Sequence, residues 1–226
     1  MKEEFANIKF QSLLNNDFDT ENVSIFLYSL IKCCRPKQLI EVGCGYSTIF
    51  LTKAIEDIKK EINTKQHYQI ANQEFWEKEY NPSLEIIEDG SDKLCGENYK
   101  NVLSVLQEQN LDQYVKFNFC SAYDFMNQIQ DKNIEYDFIW LDFGSGQKYM
   151  EVFNAFFDKL SLGGILIIHS TLSNLLGRLF VTELKLEQKN RNDFELISFF
   201  EPHKVVQNSF TVIRKVDNTP IYTIQA

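Results

Sequence analysis

The chain has 226 residues, enough for one sizeable core, with 44% apolar and 24% charged residues, the balance of an ordinary globular domain. Its formal charge of −9 argues against a general nucleic-acid binder, because phosphate contacts need a concentrated positive surface, and no run of Lys or Arg suggests a membrane patch. No apolar run approaches about 18 residues, and the opening MKEEFANIKF lacks the apolar core of a signal peptide, so a cytoplasmic protein without a membrane partner is expected. The five cysteines (Cys33, Cys34, Cys44, Cys95 and Cys120) form no CxxC and are odd in number; they read as reduced core thiols, and no structural metal site is expected.

In chain order, residues 1–20 are polar and read as an arm or short helix, part of an N-terminal helical arm over 1–35. Val23, Phe26, Leu27, Leu30 and Ile31 follow helical spacing, and the helix should stop at Arg35-Pro36. Leu39, Ile40 and Val42 form a first strand. A glycine turn and a helix from Ser47 follow, carrying Ile49, Phe50, Leu51, Ala54, Ile55 and Ile58. Residues 59–83 are less regular and carry Phe75, Trp76 and Tyr80; an insertion or lid and a plain surface helix are both open there. Leu84 to Ile87 is a second strand, a helix carries Val102 to Leu106, Val115 to Phe119 is a third strand, and Ala122 to Ile129 is a helix. Tyr136 to Leu141 is a fourth strand, and a helix runs over Tyr149 to Leu160. Gly163-Gly164 introduces a fifth strand, ILIIHS, apolar throughout as expected of a strand buried on both faces. After a helix over Leu175 to Leu186, Phe194 to Phe200 and Ser209 to Lys215 read as two strands paired antiparallel. There is no repeat and no low-complexity linker, so a single domain over 1–226 is expected.

Alternating strands and helices imply an α/β fold with a parallel, doubly wound sheet and helices on both faces. Ligands on such sheets sit beyond the carboxyl ends of the strands. The residues there are Gly43-Cys44-Gly45, Glu88-Asp89, Cys120-Ser121, Asp142-Phe143-Gly144 and His169-Ser170. Gly43 and Gly45 free the backbone for a sharp turn and close ligand approach. Thr48 stands where a dinucleotide fingerprint has its third Gly, and the turn lacks a phosphate-loop Lys, which favours a cofactor without phosphates. Glu88 can accept both hydroxyls of a ribose, with Asp89 competing for that role and an exposed acidic loop as the bland alternative. Ser121 can meet an adenine edge or merely cap a helix.

Together these stretches resemble the class I methyltransferases that use S-adenosylmethionine. EVGCGYST is similar to the family's first motif and IIED to its acidic second strand. FCSAYDF takes the place of its adenine-side turn, YDFIWLD of its fourth strand, and LSLGGILIIHS of its glycine loop and fifth strand. The resemblance spans roughly Glu21 to Lys215. It implies a Rossmann-like sheet of seven strands, mostly parallel with an antiparallel C-terminal strand, and S-adenosylmethionine as cofactor. The residues it implies around that cofactor are Glu41, Gly43, Cys44, Gly45, Tyr46, Ser47, Glu88, Asp89, Ser121, Ala122 and Asp142. Many relatives carry Asp where Ser121 stands, and the distance from Gly45 to Glu88 exceeds the usual roughly 20 residues.

Methyl transfer from a sulfonium is an in-line displacement, in which the protein aligns the reactants and removes a proton where the acceptor carries one. Asp142, His169 and His203 are the catalytic candidates. Either imidazole can be a base, and Asp142 can be a base or an orienting group; a packing histidine and a helix cap are the bland alternatives. His67 is the least suited. Some relatives place a divalent ion at the Asp142 position, but they need further acid or amide ligands where this chain has His169-Ser170-Thr171, so no metal is expected. The expected activity is methylation of an oxygen or nitrogen on a small molecule enclosed by Phe75, Trp76, Tyr80, Phe143 and Tyr149, with no nucleic-acid partner; a homodimer is compatible with the chain. A nicotinamide-dependent oxidoreductase and a non-catalytic binding subunit on the same fold are the rivals.

Overall fold

The computed structural model describes residues 13, 20–63, 80–91, 98–144 and 148–217. Its elements run α1 (Glu21–Cys34), β1 (Gln38–Val42), α2 (Tyr46–Asn63), β2 (Ser83–Glu88), α3 (Asn98–Glu108), β3 (Val115–Phe119), α4 (Ala122–Gln130), β4 (Tyr136–Leu141), α5 (Tyr149–Asp158), β5 (Leu160–His169), α6 (Leu175–Glu187), β6 (Phe194–Phe200) and β7 (Ser209–Lys215). A single 3-10 turn, Asp112–Tyr114, precedes β3. The seven strands lie in the order β3-β2-β1-β4-β5-β7-β6. β7 is antiparallel to both β5 and β6, as the sequence pattern predicts, so the mixed Rossmann-like sheet is confirmed. The chain divides into two compact units, residues 1–125 and 126–226, with the boundary inside α4.

In the first unit β1 pairs with β2 and β2 with β3, all parallel. The two inner strands are buried along nearly their whole length, and their apolar runs are each broken by one buried glutamate, Glu41 in β1 and Glu85 in β2. β3 is only half-buried, as an edge strand is. Glu85 is the charged exception within β2, and Lys116 (2.6 Å) and Asn118 (3.0 Å) of β3 reach across to its carboxylate. α1 packs on α2. α1 ends at Arg35, whose left-handed φ of 51° and N–H bond to the Ile31 carbonyl close the last turn ahead of Pro36. α2 continues through residues 59–63, so the irregular stretch expected over 59–83 begins as helix; residues 64–79, with Phe75, Trp76 and His67, lie outside the described residues.

In the second unit β4 and β5 are parallel. β5 begins at Leu160, three residues before the glycine pair that was expected to introduce it. Tyr136 pairs with Leu160, and the register shifts before Phe138 meets Ile165. Gly163 takes a φ of +80° there, so the glycines form an irregularity within the strand rather than its start. The rings of Phe153, Phe157, Phe180 and Phe194 join α5, α6 and β6 in one aromatic cluster. Lys215 caps the end of α5 by donating to the Phe157 and Leu160 carbonyls.

Candidate active site

The first unit builds a cradle where β1 ends. Gly43 continues the ladder, donating its N–H to the Ile87 carbonyl at 2.9 Å, and turns the chain with a φ of +99° that only glycine adopts without strain. The register that sets Val42 beside Ile87 brings the next residues of each strand together. As a result the Cys44 N–H donates to Glu88 Oε2 at 2.9 Å and the Gly90 N–H donates to Glu88 Oε1 at 2.7 Å. Both carboxylate oxygens are thereby fixed, and each keeps a lone pair for a further donor. Asp89 instead accepts from the Ser91 N–H at 2.8 Å in a local turn.

Thr48 does more than replace a glycine: its hydroxyl accepts the Gly45 N–H at 3.1 Å and tightens the entry to α2. Below the turn, Ser47 Oγ donates to Glu41 Oε1 at 2.6 Å, with both residues buried. Glu41 is therefore fixed by its own turn. Burial, with the neighbouring Glu41 carboxylate second, pushes the Cys44 thiol well up from its ordinary range, which leaves it a packing residue. Tyr46 lies half-buried with its ring 5.0 Å from that of Phe50. At Gly45 a Cβ would meet nothing within 4 Å, so open space stands against the backbone of the turn.

Ser121 is the N-cap of α4. Its hydroxyl accepts the Asp124 N–H at 3.1 Å and donates to Asp124 Oδ2 at 2.7 Å, while Ala122 is buried. The simpler of the two sequence readings describes this hydroxyl. One residue missed in the sequence flanks the same turn. Phe119 ends β3 in register with Glu88, is 62% exposed, and lies 5.8 Å from the Tyr99 ring beside Gly90. The signal that could have found it is its place as the last residue of a strand neighbouring Glu88.

In the second unit Asp142 follows β4 and His169 ends β5, and they form a pair with His169 Nδ1 2.7 Å from Asp142 Oδ1. The His169 side chain is 1% exposed and that of Asp142 28%. An imidazole lining an open site, as the sequence suggested, is not what forms: the carboxylate is the accessible member. Asn174 accepts the Gly177 N–H at 2.9 Å as the N-cap of α6. His203 is exposed in the turn between β6 and β7. Of the aromatic residues expected around an acceptor, Tyr80 is a core residue donating its hydroxyl to the Pro36 carbonyl at 2.9 Å. Tyr149 stacks on Phe180 at 5.2 Å, and Phe143 is half-buried next to Asp142.

A fixed carboxylate with spare lone pairs, an open glycine turn, an exposed ring and no Lys or Arg between Glu41 and Thr52 fit a nucleoside better than a pyrophosphate. The chain belongs to the methyltransferase domain family, whose model matches residues 40–171, more than half of its length. Two solved structures share the fold. One is the O-methyltransferase TomG from Streptomyces achromogenes, involved in tomaymycin synthesis and in complex with S-adenosylmethionine (TM-score 0.68, 14% identity, 93% of this chain and 91% of that one). The other is an O-methyltransferase from Bacillus cereus in complex with S-adenosylhomocysteine (TM-score 0.66, 16% identity, 94% and 89%). No curated protein matches the sequence.

Proposed function

We propose that this chain transfers a methyl group from S-adenosylmethionine to an oxygen or nitrogen of a small organic acceptor. The observation that carries the reading is the Glu88 carboxylate, held by two backbone N–H groups of the glycine-bearing turns and offering an acceptor to each hydroxyl of a ribose. The open face of Gly45 takes the methionine end of the cofactor, and the exposed Phe119 ring offers a stacking surface for its adenine. When bound, S-adenosylmethionine supplies an electrophilic methyl group on a sulfonium. The protein holds the reactants in line and takes the acceptor's proton. Asp142 is the acid-bearing strand end available for that second task. The net charge of −9 supports a small-molecule acceptor over a nucleic acid.

A thermal-shift comparison tests the reading. S-adenosylhomocysteine at a hundred times its Kd should add about 2.7 kcal/mol of stability, a rise in Tm of about 5–10 °C for a chain of this length. NADH should give no rise. Stabilisation by NADH alone would return the nicotinamide rival, and stabilisation by neither would favour the non-catalytic one.

A further inference from the structure

Asp142 and His169 are 27 positions apart in sequence yet adjacent in space, because the parallel register sets Leu141 beside Ile168. The two residues that follow those partners must then meet. Three observations say how the pair works. First, the imidazole is packed in from behind. The Trp140 ring lies 5.5 Å from it, and the turn that follows is fastened to β7. Ser170, at a left-handed φ of 58°, donates its N–H to the Ser209 carbonyl at 2.6 Å, the Leu172 N–H donates to Ser209 Oγ at 2.8 Å, and the Thr171 and Thr211 hydroxyls bond at 2.7 Å. Second, His169 Nε2 is buried and, among the described residues, has no hydrogen-bond partner. Third, among the described residues no donor meets the second oxygen of Asp142, on a side chain that is partly open to water.

The bare Nε2 decides where the proton sits. If Asp142 donated to Nδ1, or if both ring nitrogens were protonated, Nε2 would carry a buried N–H with no acceptor, at the full cost of its desolvation. With the proton on Nδ1 and Asp142 ionised, only a lone pair is left bare, which buried sites tolerate better. The ring therefore cannot be the base that meets an acceptor, since its one basic nitrogen points into the core.

We propose that His169 is a positioning residue: its Nδ1–H holds one oxygen of Asp142, so that the other is presented to the acceptor as the atom that takes its proton. This rests on the methyl-transfer reading above and deepens it. The acceptor heteroatom forms its bond to the methyl carbon, and the carbon–sulfur bond breaks with its electron pair returning to sulfur. The heteroatom's proton passes to the free Asp142 oxygen and from there to water. The imidazole orients the carboxylate, a task that a bound cation would otherwise perform.

The chain has three histidines, which makes the test tractable by nitrogen-15 NMR of histidine-labelled protein. The spectrum should show one buried ring, absent from His169→Asn, protonated on Nδ1, and Asp142→Ala should shift its Nδ1 resonance as water replaces the carboxylate as acceptor. A wild-type His169 protonated on Nε2, or one indifferent to Asp142→Ala, overturns the proposal. Turnover, followed as S-adenosylhomocysteine release with a panel of phenols, carboxylates and amines, supplies the second arm. His169→Phe keeps a ring but no donor, and should lower kcat about 100-fold with S-adenosylhomocysteine affinity within about twofold of wild type. His169→Asn carries an amide nitrogen on the same Cγ and should recover at least about tenfold of that loss. Full activity in His169→Phe would also overturn the proposal. A wild-type chain that fails to bind S-adenosylhomocysteine would instead sink the functional reading, while the tautomer result would still stand or fall by itself.

Discussion

Replacing Glu88 by Gln changes one atom of the cradle and separates shape from hydrogen bonding. In the wild type Oε2 accepts from the Cys44 N–H at 2.9 Å and Oε1 from the Gly90 N–H at 2.7 Å. Gln has the same outline but one acceptor and one donor group. Whichever way the amide turns, one backbone N–H faces another N–H. A buried donor left unpaired costs about 1–3 kcal/mol; the Gly90 side is open to water, so the amide should turn to face it and the folding cost should be near the lower figure. Binding should suffer more. Losing a charge-assisted bond to one ribose hydroxyl costs about 1.5–3 kcal/mol, a loss of about 10- to 150-fold in affinity. Isothermal titration with S-adenosylhomocysteine reads the second effect and a melting curve the first. A Glu88→Gln variant that binds S-adenosylhomocysteine within twofold of wild type would refute the assignment of Glu88 to the ribose.

Two other substitutions divide binding from folding in opposite senses. At Gly45 a Cβ meets nothing, so Gly45→Ala should leave Tm within about 2 °C of wild type yet lower S-adenosylhomocysteine affinity at least about tenfold, as titration would show. Gly177 is the reverse case: a Cβ there would stand 2.4 Å from the Thr171 carbonyl oxygen. Helix propensity alone would make Gly177→Ala stabilising, but the clash should win by about 1–3 kcal/mol and lower Tm by about 2–12 °C in a calorimetric scan.

Much of the architecture was legible because its causes are local. Arg35-Pro36 ends α1 as the restriction before proline requires, and the unbroken apolar run of β5 announces a strand covered on both sides. The glycine turn after β1 was legible for the same reason, since a φ of +99° selects glycine. The errors fall where polarity hides an element or where a partner is distant in sequence. α3 starts at Asn98, four residues ahead of Val102, because its first turn is polar apart from Tyr99, whose ring packs on Phe117 and Phe119 of the distant β3. Ser121 reads equally as an adenine contact or a helix cap until Asp124, three residues on, is seen to complete the cap. The adjacent Cys33 and Cys34 are surface residues at the end of α1 rather than core thiols, and only Cys44 of the described cysteines is buried. The exposure of His169 was the least legible quantity. Position along the strand gave its place beside Asp142, but Trp140 and the fastened turn behind it, which bury the ring, come from packing across β4, β5 and β7.

A crystal structure of the protein with S-adenosylhomocysteine tests the central claim most directly. The account predicts the ribose hydroxyls within hydrogen-bond distance of the Glu88 carboxylate, the amino-acid end of the ligand against Gly45, and Asp142 still held by His169 Nδ1. A ribose held elsewhere, with Glu88 bonded only to the Cys44 and Gly90 amides, would contradict it.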